Sequence, residues 1–165
     1  MMNTYRRFLI VAALAVAFAV PFSVTLLLTR AESAGKPEQK APPAVHRLVL
    51  PINTDNPVTM KALISTAIHL SKYYRALNEG FSLEIVAYNA GLHMLRTDTS
   101  PVQELLRAVR AANPDVRFVI CDATRLSMET IEGRPLSFVD GTTSVPNGPA
   151  RIITLQETGW SYIRS

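Results

Sequence analysis

The chain predicts an α/β fold, a three-layer α/β/α sandwich built around a mostly parallel sheet. Two observations carry that prediction. Short apolar runs recur at His46 to Ile52, Ser82 to Tyr88 and Val116 to Ile120, separated by longer segments with apolar residues at helical spacing. The runs have the length and composition of strands covered on both faces, and a strand that alternates with helices pairs in parallel through crossovers.

Each element has its own local reason. His46 to Ile52 is the first strand, and Asn53-Thr54-Asp55-Asn56-Pro57 is a loop with helix-start chemistry. From Val58 to Asn78, Met60, Leu63, Ile64, Ala67, Ile68, Tyr74 and Leu77 fall at helical spacing, and Asn78-Glu79-Gly80 stops the helix. Ser82 to Tyr88 is the second strand, followed by a turn at Asn89-Ala90-Gly91 and a short segment, Leu92 to Arg96. Thr99-Ser100-Pro101 opens a helix whose buried stripe is Val102, Leu105, Leu106 and Val109, ending near Asn113-Pro114. Val116 to Ile120 is the third strand and delivers Cys121; a helix over Thr124 to Glu132 closes at Gly133-Arg134-Pro135. Between Leu136 and Gly148 only Phe138-Val139 and Ser144-Val145 suggest strand pieces. Pro149 to Thr158 reads as a helix with Gly159 after its end, and Trp160 to Ile163 as a last strand. This order is that of a flavodoxin-like sandwich.

The domain spans residues 46–165, after a Pro-rich linker over 31–45 and a distinct segment over 1–30. Arg6 and Arg7 precede an uncharged, mostly apolar stretch from Phe8 to Thr29. A cleaved signal peptide has an apolar core of roughly 7–15 residues and a membrane span needs roughly 20. The length favours an N-terminal membrane anchor in the inner membrane, whereas Ala31-Glu32-Ser33 before Ala34 is an acceptable cleavage site. Either fate, with the arginines on the cytoplasmic side, places the domain in the periplasm or on the outer face of the inner membrane.

A pI of 9.5 invites a nucleic-acid reading. Three of the 17 basic residues and one of the 13 acidic residues lie before Ala34, which leaves 14 against 12 from there onward. These charges are scattered, without the basic stripe that a phosphate backbone requires, so nucleic acid is set aside. No zinc-type spacing, P-loop or dinucleotide fingerprint occurs, and no metal or cofactor is expected.

Cys121 is the only cysteine, at the junction of a strand and a helix. A helix N-terminus there offers unpaired N–H groups and a positive dipole end, which stabilise a thiolate. In a doubly wound sheet the crevice is expected outside the carboxyl ends of the first and third strands. Asn53, Thr54 and Asp55 would meet Cys121, Asp122 and Thr124 there, with Asn89 and His93 beside them. Arg125 would help the helix lower the thiol pKa, and Asp122 would oppose it. The candidate site is therefore Cys121 as nucleophile, with His93, Asn53, Asn89, Thr124 and Arg125 around it. An inert buried cysteine is the alternative.

Three segments go further. Ile85 to Leu95 (Ile-Val-Ala-Tyr-Asn-Ala-Gly-Leu-His-Met-Leu), the cysteine within Phe118 to Arg125, and the ending Leu-Gln-Glu-Thr-Gly-Trp-Ser-Tyr over Leu155 to Tyr162 resemble the DsrE/DsrF-like family, across Arg47 to Ile163. The resemblance implies a flavodoxin-like sandwich that assembles as a trimer or hexamer. Some members pass sulfane sulfur as a cysteine persulfide, and Cys121 is the matching position. The expected function is an exported sulfur-handling protein, a carrier with a sulfur donor or acceptor protein as partner rather than a turnover enzyme. The alternative is a non-catalytic oligomeric module that binds a small ligand or a partner at the membrane.

Overall fold

A computed structural model of the protein describes residues 44–164. Five strands, β1 (Val45–Ile52), β2 (Gly80–Ala87), β3 (Val116–Cys121), β4 (Thr142–Val145) and β5 (Ser161–Tyr162), form one sheet in the order β4-β3-β2-β1-β5. Every pairing is parallel. The helices are α1 (Pro57–Ala76), α2 (Gln103–Ala112), α3 (Asp122–Glu132) and α4 (Gly148–Glu157), with a 3-10 turn at Asn89–Met94 after β2. The three-layer, flavodoxin-like arrangement expected from the sequence is what the chain adopts.

Chain order explains the layers. From β1 to β4 the strands are laid down in one direction, and a right-handed crossover then puts each connecting helix on the same face. Met60, Leu63, Ile64 and Ala67 of α1 and Leu106 and Val109 of α2 pack there on Leu48, Leu50, Ile52, Leu83, Ile85, Ala87, Phe118 and Ile120. The connection from β4 to β5 runs back to the far side of β1, so α4 lies on the opposite face. Its Ile152 and Leu155 cover Val49, Val86 and Val119. Asn56 caps α1 by accepting from the Val58 and Thr59 amides at 2.8 and 3.3 Å, with Pro57 in the first turn.

Two expectations need correction. The crevice does not form between β1 and β3, because β2 pairs with both of them. The adjacent strands whose outgoing connections diverge to opposite faces are β3 and β4, through α3 and α4, and the crevice lies outside their carboxyl ends. The membrane anchor expected over residues 8–29 lies outside the described residues. Among the described residues no helix is long and apolar enough to cross a membrane. The structure lends the anchor no support.

The stretch from Leu136 to Gly148 has order that its composition hid. The Val139 amide donates to the Leu95 carbonyl at 2.9 Å and the Thr97 amide to the Ser137 carbonyl at 3.0 Å, with Arg96 opposite Phe138 in an antiparallel bridge. Strand β4 follows and forms an edge of the sheet.

Candidate functional site

Cys121 ends β3 in extended geometry (φ −82°, ψ 114°) and is the N-cap of α3. It lies on the α4 face of the sheet, opposite Val145 of β4. Two helix N-termini therefore converge on one sulfur. Gly148 opens α4 so close to the site that a Cβ there would lie 3.1 Å from the Cys121 Cβ and 3.2 Å from the Tyr88 Cβ, tighter than most real contacts. Any side chain there would press on Cys121 and Tyr88, so a glycine allows the approach.

The accounting of amides at α4 explains why the Gly148 N–H is left for the thiol. Pro149 has no amide hydrogen, the Ala150 amide donates to the Asn147 side chain at 3.0 Å, and the Arg151 amide donates to the Asn147 carbonyl at 3.1 Å. On the α3 side, Thr124 has a defined orientation. Its hydroxyl oxygen accepts from the Asn89 amide at 3.1 Å, which leaves the hydroxyl hydrogen free to point at the sulfur.

Burial pushes the Cys121 thiol pKa up. The Gly148 amide, the Thr124 hydroxyl and the Thr124 and Ala123 amides outweigh that effect, so the thiol lies below its ordinary value. These are electrostatic approaches, since Sγ closes no capping hydrogen bond of normal geometry with α3. Asp122 does little to oppose them. Its carboxylate is engaged by Arg125 at 2.8 Å and by the Ser144 hydroxyl, which hold it below the usual carboxylate range.

The expected site is thus brought together only in part. Cys121, Thr124 and the Asn89 backbone meet. Arg125 does not face the sulfur, because Asp122 and Glu129 hold its guanidinium at 2.8 and 2.9 Å. His93 pairs through Nδ1 with the Thr99 hydroxyl at 2.8 Å and is not among the groups acting on the thiol. Asn53 is exposed at the end of β1, two strands away. The thiol itself is 3% exposed, where the sulfur-handling reading anticipated an accessible one. Gly148 was missed as a site residue: Asn147-Gly148-Pro149 reads locally as a helix start, and only the strand order brings that start to Cys121.

Two ionic clusters also escaped the sequence. Glu84, fully buried on β2 beneath α4, takes a two-pronged contact from Arg151 at 2.7 and 2.8 Å. Arg96, 1% exposed, is held by Asp98 and Glu132, and Arg134 bridges the same two carboxylates. Among the described residues no group of three or more His, Cys, Asp or Glu is placed to hold a metal ion.

This fold and site define a single-thiol α/β/α sandwich. No family model matches the chain and no curated protein does. A solved structure, that of the protein of unknown function MTH1491 from Methanobacterium thermoautotrophicum, is similar, with a TM-score of 0.61 at 29% identity over 73% of this chain and 99% of that one. That likeness supports the fold and brings no activity with it. The family terms drawn from the sequence resemblance are corrected accordingly: sulfur relay, persulfide transfer and a periplasmic location have no relative to rest on.

Proposed function

We propose that this domain handles sulfur through Cys121, a thiol of lowered pKa at the β3/β4 crevice, which as its thiolate accepts a sulfur-bonded group from a small molecule. The observation that carries this reading is the placement of one buried sulfur at the N-terminus of α3, with the start of α4 at Gly148 against it and the Thr124 hydroxyl beside it, which together lower its pKa against burial. Two helix N-termini beside one thiol are an arrangement that favours its thiolate.

The step is an exchange. The Cys121 thiolate attacks the electrophilic sulfur of an S–S bond; a new S–S bond forms, the old one breaks, and the departing sulfur leaves with the electron pair and takes a proton from solvent. With one cysteine in the chain, nothing within it resolves the adduct. The group stays until an external thiolate removes it, which is the behaviour of a carrier rather than of a turnover enzyme. Burial of the sulfur means that the crevice must open, and the exposed Asn89 loop and the first turn of α4 border it.

The test uses the full chain and methyl methanethiosulfonate, followed by intact mass under native conditions as a function of pH. Stoichiometric labelling with a midpoint below the free-thiol value of about 8.5, absent in Cys121→Ser, is the expected result. Labelling that appears only when denaturant unfolds the domain would overturn it.

The burial of Cys121 favours a second reading, a non-catalytic module that binds a small ligand or a partner as an assembly of copies. Helix α3 buries none of its residues and exposes Leu126 and Ile131, the latter 82% accessible, which suits coverage by another molecule. A monomer in sedimentation velocity, together with an inert thiol, would remove the assembly from that reading.

A further inference from the structure

We propose that a cavity on the α2 face, away from Cys121, is a binding site for a small monocarboxylate with an apolar body, such as an arylalkyl acid. The cavity has a volume of about 430 Å³, within the range of small-molecule sites. Helix α3 packs at the carboxyl end of β3 with no fully buried residue and only Met128 against the core, and the cavity lies between α2 and the β3–β4 side of the sheet. The wall opposite α2 is the 95–97 and 137–139 ladder, represented in the lining by Thr97 and Val139.

Helix α2 presents Gln103, Leu106, Arg107 and Arg110 to this space, the i, i+3, i+4, i+7 set of one helix face. Three of these four are polar and border the buried stripe of Leu106 and Val109. Phe118 forms the floor, and the Arg110 guanidinium lies over its ring at 4.7 Å. Arg110 donates to the Asp140 carbonyl but has no carboxylate within ion-pair distance among the described residues. Room for it is made by Gly141, at φ +68°, where a Cβ would come within 2.6 Å of Arg110 Nη1. Arg107 pairs only with Glu104, in an exposed contact that a ligand can displace at little cost.

Charge and shape then choose the ligand. Arg107 and Arg110 face Asp140 in the lining and Glu104 at its rim, so no large positive excess is present, and a monoanion that displaces Glu104 from Arg107 suits the site better than a phosphate dianion. A planar carboxylate matches the guanidinium fork, and Val139 with the aliphatic stems of Arg107 and Arg110 receives the apolar body, Phe118 and Leu106 lying beneath them already covered.

Isothermal titration of the full chain with phenylbutyrate tests this, with phenylbutyramide as the uncharged counterpart. Saturable binding of the acid is expected, with at least about tenfold weaker binding of the amide and at least about tenfold loss in Arg110→Gln, the effect of deleting a charged hydrogen bond. Arg107 is exposed, so Arg107→Gln keeps the fold and should lose roughly threefold, a partial share of the same effect; it decides the matter if the first variant fails to fold. No saturable binding of phenylbutyrate, equal affinity for the amide, or unchanged affinity in both variants overturns the proposal.

Discussion

At the scale of single residues the thiol is the point of leverage. Thr124 is the one side chain that lowers the Cys121 pKa, and its oxygen is already occupied by the Asn89 amide. Thr124→Val keeps the shape and removes the donor, so the thiol pKa should rise toward the free-thiol value. The midpoint of the native methanethiosulfonate labelling against pH reads this shift. The sign carries over to stability. A folded-state pKa below that of the unfolded chain adds stability as pH climbs through the folded value, complete above about 8.5 and lost again on descending. Urea midpoints should therefore rise between neutral and alkaline pH in the native protein, and rise less in Thr124→Val. Cys121→Ser should show none of this gain.

At the scale of elements, α4 holds one side of the site, and its attachment to the sheet is partly ionic. Ile152 and Leu155 supply a small apolar contact, and Arg151 meets Glu84, which has no exposure at all. Breaking such a pair strands a charge in a place where it cannot be hydrated. Arg151→Met should cost about 3 kcal/mol in denaturant unfolding, whereas Glu84→Leu with Arg151→Leu should cost much less, since replacing both partners removes the stranded charge. A comparable loss in the single and double variants would show that the pair does not govern α4. Helix α3 is tied down differently, through Glu132 in the Arg96 cluster at its end, while Arg125 pairs with Asp122 and Glu129 within the helix.

At the scale of the whole molecule, the Arg96 cluster joins segments far apart in the chain. Arg96 and Asp98 precede α2, Glu132 ends α3, and Arg134 starts the return toward β4. Hydrogen bonds from Arg96 hold both Asp98 and Glu132 below the usual carboxylate range, as one from Arg125 holds Asp122. Depressed carboxylates contribute stability that is complete above the unfolded value of about 4 and disappears as pH falls through the folded values. Stability should thus stay flat from pH 7 to about 5 with respect to these groups and drop steeply below about 4. In Arg96→Met the same drop should be shallower, because Asp98 and Glu132 would titrate closer to their unfolded values. Urea unfolding at graded acid pH measures both slopes, and equal slopes would refute the assignment.

What the sequence by itself determined is everything that has a local cause. Apolar runs, helical spacing at Met60 to Ala67, the Asn56-Pro57 start and the position of Cys121 at a strand end are all properties of neighbouring residues, and the structure has them within a few positions. The short ladder at 95–97 and 137–139 and strand β4 were barely legible, because their partners lie some forty residues or more away or on another strand, and their own composition reads as turn. Only the tertiary structure decided the strand order, and with it the crevice at β3 and β4 instead of β1 and β3. That order brings Gly148 to Cys121 and gathers Arg96, Asp98, Glu132 and Arg134 into one cluster. The physical reason is that secondary structure follows from periodicity and capping along the chain, whereas pairing partners, burial of a charge and the environment of a thiol depend on groups that folding brings together from distant positions.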